Sequence, residues 1–190
     1  MRSALALAAA ALLLPAACGP TSRSFSAARQ TWEDRSNSGI SDWSNISSNK
    51  MVDEYGPPDR VETLGLVWYH RGPWAKIVVW DEMGFLWTDK ASRNLEQTIA
   101  YPVPDDKRSA LAAFNRALWS PDLGVRVSEN GAELSARSES EERNFLMLNL
   151  ADEIVQGLLS PRDARESFSR TLQLADAGKT SPSMQRLLFR

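Results

Sequence analysis

No two residues constrain this chain more than Asn130-Gly131. They stand between Val125-Arg126-Val127 and Leu134-Ser135-Ala136, two short stretches in which apolar and polar residues alternate. A two-residue type I′ turn needs positive φ at both central positions, which Asn and Gly tolerate, and its flanking strands must run antiparallel. The spacing predicts Val127 opposite Leu134 and Val125 opposite Ala136 on a dry face. Arg126, Ser128, Glu133, Ser135 and Arg137 then take a wet face, the usual division in an antiparallel sheet.

A second hairpin is expected upstream. Val61 to Tyr69 and Trp74 to Asp81 are rich in β-branched and aromatic residues, and His70-Arg71-Gly72-Pro73 separates them. If those four residues form the turn, Tyr69 lies opposite Trp74. One face is then Leu64, Leu66, Trp68, Ala75, Ile77 and Val79; the other is Thr63, Val67, Tyr69, Trp74, Lys76, Val78 and Trp80. Leu95 to Val103 reads as a further strand, with Pro102 marking an edge or an end.

Helical signals fall before, between and after these strands. A short helix over 41–55 stops at Gly56, and Pro57-Pro58 forbids its continuation. Pro104-Asp105 opens a helix to about Trp119, with Leu111, Phe114 and Leu118 as its stripe and Asp105 or Asp106 suited to cap it. Ser138 and Glu141 have the spacing of a capping box. The helix that follows runs to about Gln156 and is apolar from Phe145 to Ala151 except at Asn149. Ser160-Pro161 begins the last long helix, to about Ala177, with Ala164, Phe168, Leu172 and Ala175 facing inward. The predicted fold class is α+β: an antiparallel sheet of hairpins with helices packed on one face. The single domain is expected over 41–177, with a tail over 178–190.

The N-terminal segment has a different character. A basic start, Met1-Arg2, precedes an Ala/Leu run from Ala4 to Leu14 and then Pro15-Ala16-Ala17-Cys18. A run of about ten apolar residues is too short to span ~30 Å of hydrocarbon, so 1–17 reads as a cleavable export signal. Residues 18–40, rich in Ser, Arg, Asn and Thr, read as a flexible tether. Cys18 is the only cysteine, so an internal disulfide is impossible. Leu14 to Cys18 resembles the lipobox of bacterial lipoproteins, with Leu14 one place earlier than that family's usual leucine. The resemblance implies a lipid on Cys18, anchoring at a membrane of the cell envelope and, with Gly19 rather than Asp next, the outer membrane facing the periplasm; the alternative is ordinary secretion, as a secreted or periplasmic protein.

The charges, 22 basic against 24 acidic, are interspersed without a basic stripe, which argues against a nucleic-acid partner. The single histidine, His70, has no triad companions at a recognisable spacing, and the Gly-x-Ser-x-Gly elbow is absent. Without His or Cys clusters, no metal site or cofactor is expected. Glu96 and the Asp152/Glu153 pair are the nearest approach to catalytic carboxylates, and capping or surface ion pairs explain them as well. No catalytic residue is assigned.

Seven tryptophans are well above ordinary usage, and such rings are enriched at binding hot spots. Tyr69, Trp74 and Trp80, with Lys76 beside them, form the candidate contact face for a partner protein, a glycan or a lipid. The same rings become core if a helix covers that face. Arg126 and Arg137 are candidates for receiving an anion in forked geometry.

Several stretches resemble a group of exported bacterial proteins that carries no assigned activity. They are Tyr55-Gly56-Pro57-Pro58-Asp59, Leu66-Val67-Trp68-Tyr69 with Gly72-Pro73-Trp74, Leu95-Glu96-Gln97-Thr98, Val103-Pro104-Asp105-Asp106-Lys107, Ser135-Ala136-Arg137 and the span 144–155. A second likeness, over about 43–86, is to the SmpA/BamE outer-membrane assembly lipoproteins. These share a lipidated Cys, a helix ending in Gly-x-Pro and a strand carrying Trp-Tyr. That resemblance implies a scaffold that contacts partner proteins and lipid. The expectation is a non-catalytic envelope lipoprotein. The alternatives are a glycan- or lipid-binding module and a carboxylate-dependent hydrolase.

Overall fold

The computed structural model describes residues 46–62, 65–80, 93–116, 118 and 124–189. The leader, Cys18, the tether, the connection over 83–92 and Trp119 lie outside these residues. Chain order is α1 (Ile46–Tyr55), β1 (Arg60–Glu62), β2 (Gly65–Arg71), β3 (Trp74–Trp80), β4 (Leu95–Ala100), α2 (Arg108–Asn115), β5 (Gly124–Val127), β6 (Glu133–Ser138), α3 (Glu141–Val155) and α4 (Pro161–Asp176). Single 3₁₀ turns precede α2 and follow α4. The six strands form one antiparallel sheet in the order β1-β2-β3-β4-β6-β5. The fold class is α+β, as the alternating signals require.

The register explains where the core lies. Leu66 pairs with Val79, Trp68 with Ile77, Ile77 with Gln97 and Ile99 with Leu134, so these side chains share one face. All are buried, and α3 lies across β4, β5 and β6 on their side. From Asn144 to Ala151 every residue of α3 is buried. Each large apolar side chain so enclosed contributes roughly 1.5–3 kcal/mol. Burying an indole also requires a partner for its N–H. Trp68 donates to the Gly56 carbonyl at 2.8 Å, which fastens the end of α1 to β2.

Both hairpins depart from their predicted turns. At the second, Val127 pairs with Leu134 and Val125 with Ala136 as expected. The loop, however, is a four-residue one: Gly131 N–H donates to Ser128 O, only Gly131 has positive φ (71°), and the Asn130 side chain accepts from Ala132 N–H. Asn130 serves through its amide, so a type I′ backbone is unnecessary. At the first hairpin the loop is Gly72-Pro73 alone, with Arg71 opposite Trp74 and Tyr69 opposite Lys76. Gly72 has φ 53°, the positive value that the first position of a II′ turn demands. The register differs from the prediction by two residues, so the face assignments of 66–69 and 76–80 survive. The strand expected over 61–69 is instead two, β1 and β2, paired antiparallel with Val61 opposite Leu66, and Thr63 and Leu64 lie outside the described residues.

Two helix starts and one strand end are also corrected. Ser138 still pairs with Leu95 as the last residue of β6, so the cap of α3 falls to Ser140, which accepts from Arg143 N–H. Neither Asp105 nor Asp106 caps α2; Asp105 instead pairs with Arg108 at 2.9 Å. The first helix is described over Ile46–Tyr55, and the first residues of its expected span, 41–45, lie outside the described residues. Strand β4 ends at Ala100, ahead of Pro102, although Tyr101 and Val103 still donate to the carbonyls of Ala132 and Gly131.

The segment expected as a tail packs on the domain. Asn149 of α3 donates to the carbonyls of Ser183 and Arg186, both at 2.9 Å, and accepts from Leu188 N–H at 2.8 Å. Phe189 meets the Tyr101 ring edge-on at 5.3 Å.

Candidate functional site

The proposed contact face separates into two environments. By strand parity Trp74 belongs with Lys76, Val78 and Trp80. Yet it is 1% exposed, its ring stacks on Phe145 of α3 at 4.9 Å and its indole reaches Glu141. The ladder omits the His70/Ala75 rung and His70 has φ 52°. This irregularity swings the hairpin tip and carries Trp74 into the helix layer. Tyr69, Lys76 and Trp80 remain on the other face, each half-buried. The joint aromatic surface of Tyr69, Trp74 and Trp80 is therefore not formed.

On that other face Trp80 is held in place. Its N–H donates to Glu96 at 2.8 Å, and the Arg137 guanidinium stands 5.6 Å over its ring. Glu96 and Arg137 are direct partners across β4 and β6. Arg137 also donates to the Arg93 carbonyl at 3.0 Å. These bonds commit Arg137, so the expected Arg126/Arg137 fork is not assembled, and Arg126 stands exposed on β5. Glu96 serves an indole rather than a second carboxylate.

The most concentrated polar chemistry lies under the sheet, at a residue expected to close a capping box. Because Ser140 caps α3, Glu141 becomes its first residue and turns inward. Its Oε1 accepts from Tyr55 Oη (2.7 Å), Trp74 Nε1 (2.6 Å) and Gln97 Nε2 (2.8 Å). Gln97 in turn accepts from Asn144, which accepts from Ser138. The chain links α1, β3, β4, β6 and α3. Burial raises the Glu141 carboxyl above its ordinary range, opposed by the three donors. Tyr55 is also pushed up, first by burial and then by its bond to Glu141. The clue available in the sequence was a glutamate three residues past the end of a strand, directly after the serine that caps the helix.

The accessible concavity lies beside this network, at the end of the sheet. The hairpin tip, the end of β4, the last turn of α3 and the C-terminal segment enclose an open groove of about 900 Å³. Trp74, Tyr101 and Phe189 supply rings; Pro73, Pro102 and Pro104 supply rigid walls; His70 stands at the rim. Among the described residues, no Lys, Arg, Asp or Glu lines it. Behind it Tyr101 donates to Asp152 at 2.6 Å, which with burial raises the phenol. Asp152 is thereby tied to a phenol, not paired with Glu153. Among the described residues no group of three or more His, Cys, Asp and Glu side chains is placed to hold a metal ion, and no helix is long and apolar enough to cross a membrane.

Comparisons with protein-family models, with curated proteins and with solved structures find no match.

Proposed function

We propose that this is a non-catalytic binding protein of the bacterial cell envelope, held beside a membrane by a lipid on Cys18. It engages an extended segment of a partner protein in the groove at the sheet end. The carrying observation is the lining of that groove: three rings and three prolines around an open channel, with no charged side chain among the described residues. Aromatic rings give large contact area with few rotors to immobilise, and an open channel suits a chain that passes through. The carboxylates nearest the groove support a non-catalytic role. Glu141 holds three donors and Asp152 holds Tyr101.

Ala100 is exposed and lines the groove. A photo-crosslinking residue at this position, activated in intact cells, should yield a discrete protein adduct. Phe189→Asp should abolish it. An adduct that persists in Phe189→Asp, or no adduct, counts against the groove. An adduct carrying glycan and no peptide favours the ligand-binding reading.

A further inference from the structure

A second concavity, far in composition from the first, lies where the end of α2 meets one face of α4 from Arg162 to Gln173. It measures about 870 Å³ and is lined by Arg116, Arg162, Arg165 and Arg170, with Glu166 as its one carboxylate. Four cations against one anion give this hollow a local charge of +3, in a chain whose net charge is −2. Glu166 is already engaged by Arg162 at 3.2 Å. Arg116, Arg165 and Arg170 have no ion-pair partner among the described residues. Among the described residues, nothing else neutralises their mutual repulsion. The arrangement follows from helix spacing. Positions 162, 165, 166, 169, 170 and 173 recur at intervals of three and four and so share one face of α4. Ser169 and Gln173 add neutral donors to the same wall.

We propose that this hollow is a phosphate-binding site. Guanidinium groups present planar forks of N–H donors that match phosphate oxygens, and charge-assisted bonds of this kind are roughly twice as strong as neutral ones. A carboxylate would satisfy one fork; a phosphate can accept from several at once. The same chemistry belongs to a phospholipid headgroup and to a free phosphate compound. The site does not depend on the groove reading, since no residue is shared.

The test titrates the full chain with inorganic phosphate and, separately, with glycerophosphoglycerol, the soluble phosphodiester headgroup of an anionic lipid. Arginine Nε–H resonances are followed by NMR at fixed ionic strength, with chloride as the control salt. Saturable shifts at Arg116, Arg165 and Arg170 are expected. The paired variant Arg165→Gln/Arg170→Gln should bind at least about tenfold more weakly, the loss of one charge-assisted bond or more. Arg60→Gln, on the distant β1, should bind as the parent does. Tighter binding of the diester identifies a lipid headgroup, and tighter binding of inorganic phosphate identifies a free phosphate; either supports the site. Shifts that grow linearly without saturating, that chloride reproduces, or that survive the paired substitution overturn it. Because these arginines are surface groups, an unchanged amide spectrum elsewhere confirms that the variant is folded.

Discussion

The indole N–H of Trp74 lies 2.6 Å from Oε1 of Glu141, joining the tip of a hairpin to the first turn of the central helix. Removing the carboxylate strands up to three buried or half-buried donors at once. An unsatisfied buried group costs about 1–3 kcal/mol, so Glu141→Leu should destabilise the protein by about 3 kcal/mol or more. Glu141→Gln, which keeps an acceptor oxygen in place, should cost markedly less. Chemical denaturation of the two variants checks the difference; equal losses would mean that the donors find other partners.

The same carboxyl makes stability depend on pH in a definite sense. Its folded-state pKa lies above the ordinary value of 4.5, so above pH 4.5 the folded protein holds this proton more tightly than the unfolded chain. The contribution is fully present below that value and is lost as pH rises through the folded-state pKa. Glu141→Gln cannot lose a proton there. The stability of wild type minus that of Glu141→Gln should therefore decline as pH is raised from 4 toward neutrality. A flat difference curve would refute the shift.

Asn149 holds the C-terminal segment by three hydrogen bonds to its backbone. Asn149→Ala should cost about 2 kcal/mol, since it leaves those groups with water or with nothing. It should also expose the bond after Arg186 to trypsin well before the rest of the domain is cut. Loss of that segment removes Leu187 and Phe189 from the groove, so crosslinking from Ala100 should fall in parallel.

Arg137 stands over the Trp80 ring, and that pairing can be isolated. A double-mutant cycle of Trp80→Leu with Arg137→Met should return a coupling of about 0.5–1 kcal/mol, the range for a cation over an accessible ring. Coupling near zero would mean that the Trp80 ring contributes nothing to holding Arg137.

The described residues were largely legible at the level of elements. The Asn130-Gly131 loop set its register through the flanking alternation, even with a different backbone turn. Side-chain period, not turn type, decides which residues face the core. Trp74 was misplaced because periodicity treats a strand as straight to its end. A positive φ at His70 is a tertiary outcome, with no mark in the neighbouring residues. Glu141 was misread because a capping box and a buried hub begin with the same letters. The difference lies in whether Ser138 ends the strand or starts the helix, and that is settled by its pairing with Leu95. The arginine hollow was invisible because Arg116 and α4 are separated by more than forty residues of chain and meet only through packing.

The sheet ends in β1, three residues long, and β5, four residues long. An incoming strand would find only a short border on either side, and on β5 the Asn115 side chain already bonds both the N–H and the carbonyl of Val125, which leaves too little to hold a register. If the proposed lipid anchor gathers copies on one bilayer, they would then have little means of zipping into a continuous ribbon. Each would stay a separate body, and recognition would fall to side chains rather than to the peptide backbone.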